Sequence, residues 1–162
     1  MTEFIFKIAP SVKYGKYKCR RAWAETFVKI IKQNVDIICE MLDLPERVII
    51  NVAPIRTTAY GYWYDGSNTM KIDPCRQNMD HLFSTFFHEL VHAEQYKQGR
   101  LTRKLNPNAN RFMNYWNDVP YKKPSTTKSK KSFDKYKALP WEVEAFARQN
   151  VLTAEFIKGM MR

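Results

Sequence analysis

Histidine and cysteine are both scarce in this chain, three of each in 162 residues. Cys19, Cys39 and Cys75 stand in no paired spacing, which excludes a disulfide frame or a zinc knuckle and points to reduced thiols in a cytosolic protein. No apolar run is long enough to span a membrane, and the stretch from Met1 to Lys18 holds none long enough for a signal peptide. The expectation is therefore a cytoplasmic protein of a bacterial or other host cell. There are no internal repeats and no recognised DNA-binding motif. Acidic residues are the minority, 16 against 27 basic ones, for a net charge of +11. Disorder is excluded by 44% apolar and 14% aromatic content, and the length fits one domain over residues 1–162.

Two of the three histidines fall within five residues, His88-Glu89-Leu90-Val91-His92. Helical residues four apart lie one turn apart, about 6 Å along the axis, so both imidazoles can reach one metal ion at roughly 2.0–2.1 Å. Glu89 points to one side of that pair, where it can hold and deprotonate a metal-bound water rather than ligate. Asp80 is the expected N-cap, and Leu82, Phe83, Phe86, Phe87, Leu90 and Val91 supply an apolar face. Opposite it runs a polar stripe of His81, Thr85, His88, His92 and Gln95. His81 lies about 16 Å from His92 by helix rise and cannot share a metal with both others. It reads as a solvated residue at the helix start.

A hydrolytic site of this kind needs a third protein ligand, and no histidine is left to provide it. Further on, Pro140-Trp141-Glu142-Val143-Glu144-Ala145-Phe146-Ala147 reads as a helix start, with proline in the first turn and an acidic pair at the positive end of the dipole. The pairing of His88–Gln95 with Glu142–Ala145 resembles the gluzincins, zincin-fold metallopeptidases whose third ligand is a glutamate on a separate later helix, and among them small phage and mobile-element domains. That resemblance rests on two short segments. It implies one zinc ion per chain held by His88, His92 and a glutamate, with Glu89 as the general base of peptide hydrolysis. It also places Tyr136, six residues before Glu142, where some gluzincins carry an oxyanion-stabilising tyrosine. Both Glu142 and Glu144 have an alanine three residues later, as several gluzincin branches require. Branches with an acidic or amide residue directly after that alanine are not matched, because Phe146 or Arg148 stands there. Residues two apart point about 200° apart on a helix, so only one glutamate can face the metal. Glu144 has an ion-pair partner in Arg148, whereas Glu142 shares its stripe with Ala145, Phe146 and Gln149. Glu142 is the expected ligand and Glu144 the alternative.

Around these motifs the expected organisation is α+β and zincin-like: a backing helix, a small mostly antiparallel sheet, the motif helix, then a C-terminal helix bearing the third ligand. Phe4–Ile8 reads as a strand, residues 19–42 as one amphipathic helix, and Val48–Val52 as a buried strand. Residues 59–64 and 70–73 read as a hairpin across Asp65-Gly66-Ser67-Asn68, and the motif helix as 79–98, closed by Gly99. In the zincin fold the strand nearest the cleft pairs with an extended substrate. Tyr62, Tyr64, Met70 and Ile72 are the corresponding substrate-binding candidates. Residues 101–133 carry little secondary-structure signal beyond a turn at Leu105–Asn108 and a short helix over 111–117. A basic loop over about 118–133 is expected to overhang the cleft.

The positive charge gathers at residues 13–21, where Tyr14 and Tyr17 interleave with Lys13, Lys16, Lys18, Arg20 and Arg21, and at the lysines of 122–131. Basic and aromatic residues together suit phosphate contact with base stacking, so nucleic acid joins a protein or peptide substrate among the expected partners. Three functions follow: a zinc metalloendopeptidase, a catalytically idle zincin-like binding module, and a protease acting on DNA-bound protein.

Overall fold

The computed structural model describes residues 2–12, 18–106, 108, 110–124 and 128–162, without the side chains of residues 18–20 and 65. Residues 13–17 of the first basic cluster and 125–127 of the second lie outside the described residues. Phe4, Phe6 and Ile8 of strand β1 (Glu3–Ile8) pack against the core, as alternate residues of a half-covered strand do. Helices α1 (Lys18–Gln33) and α2 (Val35–Met41) carry the chain back to β2 (Arg47–Val52), which pairs parallel with β1 from Glu3 opposite Arg47 to Ile8 opposite Val52. The expected single helix is broken at Asn34, whose Nδ2 donates to the Ile30 carbonyl at 2.8 Å and whose backbone leaves the helical region.

Strands β3 (Gly61–Tyr64) and β4 (Thr69–Ile72) form the expected hairpin, with a 3-10 turn over Asp65–Ser67 and Asn68 left-handed at φ +45°. The sheet order is β1-β2-β4-β3. Two of its three pairings are parallel, which corrects the expectation of a mostly antiparallel sheet. The cause is the connection. A helical crossover lets β2 run parallel to β1, whereas only a tight turn forces the antiparallel pairing seen between β3 and β4.

Helix α3 (Met79–Lys97) is buried along almost its whole length, from Leu82 to Gln95 apart from Ser84 and Thr85. Its N-cap is Asn78, not Asp80: Asn78 has extended backbone, and its side chain accepts from the His81 amide at 2.8 Å. Asp80 instead sits within the first turn, and Gly99 (φ +71°) follows the helix end. Phe27, Phe83, Phe86, Phe87 and Phe156 form a continuous aromatic cluster with ring centroids 5.4–5.7 Å apart. Phe156 belongs to α5 (Pro140–Met160), which packs along α3.

Between α3 and α5 stands a second, three-stranded antiparallel sheet: β5 (Leu101–Asn106), β6 (Arg111–Trp116) and β7 (Val119–Tyr121). The short helix expected at 111–117 is thus a strand, and the expected basic loop shrinks, because Val119–Tyr121 pair with β6 and Lys130–Lys137 form helix α4. Five α-helices and two small sheets make a mixed α+β fold among the described residues. None of these helices is long and apolar enough to cross a membrane.

Candidate metal centre

Two helices distant in sequence bring three ligating groups together. His88 and His92 project from one face of α3, and the first turn of α5 sets Glu142 opposite them. His Nε2 to Glu142 Oε2 distances are 3.2 Å for His88 and 3.6 Å for His92. The three residues offer ligand atoms that all lie within 4.8 Å of one another, and all three are buried. Donors about 2.1 Å from one ion at tetrahedral angles lie about 3.4 Å apart. The two observed distances bracket that edge, so the three side chains can hold a metal ion with small adjustments.

The outer ring nitrogens are also occupied. His88 Nδ1 donates to Gln149 Oε1 at 2.8 Å, and His92 Nδ1 donates to Gln95 Oε1 at 2.9 Å. An amide oxygen can only accept, so each Nδ1 carries a proton and each Nε2 is left to face Glu142. A proton on Nε2, or a metal cation in its place, holds each ring to the carboxylate. Gln95 is fully buried, and its Nε2 donates to the Trp141 carbonyl at 3.0 Å. That one side chain fixes a histidine and ties α3 to the residue before Glu142. Burial alone would raise the Glu142 carboxyl. The charges and hydrogen bonds of His92 and His88 outweigh it and hold the group far below the usual carboxylate range.

Glu89 is buried beside the triad. Burial pushes its carboxyl up to about 7, with the Glu142 charge adding to the rise and the charges of His88 and Lys123 opposing it. A carboxyl in that range can exchange a proton near neutral pH. Its other wall is strand β3. A Cβ on Gly61 would lie 2.8 Å from Glu89 Oε1, 2.8 Å from Thr85 Cγ2 and 3.0 Å from Glu89 Cγ. Glycine at this position lets the strand close over Glu89. Gly61→Ala is expected to displace the Glu89 side chain and to destabilise the fold by about 1–3 kcal/mol, as overpacking does, measured by urea denaturation against wild type.

Glu144 points away from the triad. Arg100 grips it with Nη1 to Oε2 at 2.5 Å and Nη2 to Oε1 at 3.0 Å, and Arg148 Nη1 reaches Oε1 at 2.9 Å. Arg148 also pairs with buried Glu94 of α3. Burial would raise the Glu144 carboxyl, but the hydrogen bonds and charges of Arg100 and Arg148 leave it lowered. The alternative ligand is thus an ion-pair partner, about 200° around α5 from Glu142. His81 is exposed.

Tyr136 of α4 is half-buried and hydrogen-bonds Glu142; burial, the Glu142 charge and that bond push its hydroxyl above the usual phenol range, so it stays protonated. Tyr62 is near enough to add to that shift; it also stacks beside Tyr64 at 6.3 Å, and Tyr64 is exposed. Met70 and Ile72 are fully buried. They cannot touch a substrate, because β4 lies between β2 and β3 and turns both side chains into the core. Of the two hairpin strands, only outermost β3 has an edge to offer. The residues that spacing alone did not single out are Gly61, Gln149 as the partner of His88, and Gln95 as the bridge to α5. Gln95 stands on the polar stripe of α3 and Gln149 on the stripe of α5 that carries Glu142, which is their only trace in the sequence. Cys39 and Cys75 are not joined in a disulfide among the described residues. No protein-family model, characterised protein or solved structure matches this chain.

Proposed function

We propose that the chain is a zinc-dependent metallopeptidase of the zincin type, hydrolysing peptide bonds with Glu89 as general base. The observation that carries this reading is the convergence of His88, His92 and Glu142 within ligating range, with the buried Glu89 carboxyl alongside. Two imidazoles and one carboxylate are a donor set suited to zinc and leave a position open for water. The order of helices, sheet, motif helix and glutamate helix agrees with what the gluzincin resemblance implies. His88, His92 and Glu142 would hold the zinc, which would supply Lewis acidity for the scissile carbonyl and for a water. Glu89 takes the water's proton and returns it to the departing amine, which its raised carboxyl suits it to do. Gln149 and Gln95 hold His88 and His92 in the ligating tautomer. Tyr136, protonated beside Glu142, turns its hydroxyl proton from that carboxylate to the oxyanion as the substrate carbonyl becomes tetrahedral. Strand β3 offers its edge to the substrate main chain.

The test joins elemental analysis to proteolysis of an unfolded protein such as casein. The purified chain is expected to carry about one zinc ion, to lose cleavage on chelation and to regain it on zinc repletion. A chain that takes up no metal after repletion would refute the proposal.

A further inference from the structure

A cleft of about 480 Å³ opens between β3 and the β5–β7 sheet, within the range of roughly 300–1,000 Å³ usual for ligand clefts. Arg103, Arg111, Lys122 and Lys123 line it, with no carboxylate among the described lining residues. It adjoins the metal centre. Tyr96, on α3 four residues past His92, forms part of its wall, and the Lys123 charge acts on Glu89. Arg103, Arg111 and Lys122 give the cleft a positive potential that attracts anions next to the proposed hydrolytic site.

We infer that this cleft binds an acidic segment of the polypeptide substrate and makes the enzyme selective for chains that carry one. Two features favour polypeptide over nucleic acid. The cleft is bounded by outermost strand β3, whose edge can pair with an extended main chain. On the β6 wall, the exposed Phe112 ring already carries the Arg103 guanidinium 5.3 Å from its centroid, which closes that face to a base. That contact holds the cation in place for a carboxylate.

The inference rests on the metallopeptidase reading, so its test reads binding without hydrolysis. A short fluorescein-labelled peptide rich in aspartate and glutamate is titrated with the full chain and followed by anisotropy. The asparagine and glutamine counterpart and a single-stranded oligodeoxynucleotide of equal charge are run beside it. The acidic peptide is expected to bind at least about tenfold more tightly than its neutral counterpart, in a salt-dependent way. Arg103→Glu with Arg111→Glu is expected to weaken it about tenfold or more, and Lys122→Glu by a smaller factor, while Lys158→Glu at the far end of α5 leaves it unchanged. Equal binding by the cleft variants would overturn the inference. So would tighter binding of the oligodeoxynucleotide that is lost in the same variants, which would make the cleft a nucleic-acid site. Acidic-peptide binding by a chain that cleaves nothing would leave the cleft standing and remove the peptidase reading. Cleavage indifferent to substrate acidity would do the reverse.

Discussion

Glutamine in place of Glu89 is expected to leave the bound metal at wild-type level while lowering turnover of a cleaved protein by about two to four orders of magnitude. The two halves of that result come from different atoms. His88, His92 and Glu142 form the group that could hold the ion, and Glu89 is not one of the three. Glutamine has nearly the same shape, so it fits beneath Gly61, where even a methyl group would crowd the site. It cannot accept a proton from water at any working pH. Elemental analysis of the variant and a turnover assay under the same conditions check both halves. Metal loss in Glu89→Gln would mean that this carboxylate belongs to the ligand set, and unchanged turnover would remove it from the chemistry.

Alanine at position 142 is expected to abolish stoichiometric metal binding, and alanine at 144 to preserve it. Among the described residues Glu142 is the carboxylate that completes the triad, and its removal leaves two inward-facing imidazoles with an incomplete tetrahedron. Glu144→Ala breaks the grip of Arg100 and one contact of Arg148, both partly exposed pairs. Its effect belongs to stability, about 1 kcal/mol or less for screened pairs of this kind. Titration with a zinc-responsive dye reads the first variant, and thermal unfolding of the metal-free proteins reads the second. Retained metal in Glu142→Ala with loss in Glu144→Ala would reverse the assignment.

What the sequence disclosed follows the range of the interactions involved. The motif helix was legible because one period places Phe86, Leu90 and Val91 on one face and His88 and His92 on another. The direction of strand pairing was not, since a strand's residues look alike beside a parallel or an antiparallel neighbour. The second sheet hid for a related reason. Phe112, Tyr115 and Trp116 fit the three- and four-residue spacing of a helix as well as they fit a strand, and Thr102, Arg103 and Lys104 show no alternation at all. Of the candidate site, the histidines came from local spacing. What sets Glu144 apart from Glu142 includes Arg100, 44 positions away and in contact with Glu144. Gly61 left no trace, because its significance is a clash across two elements.

The double grip of Arg100 on Glu144 has a mechanical side. Arg100 is the residue from which the β5–β6 hairpin springs, and Glu144 lies two positions beyond Glu142 on the first turns of α5. Arg148 extends the clamp to Glu94, one turn past Leu90 on α3. The hairpin that walls the cleft and the helix that carries Glu142 therefore turn about a shared bolt. Any swing of the hairpin must either pull that bolt loose or drag the carboxylate with it, so the width of the cleft and the geometry around Glu142 are geared to each other.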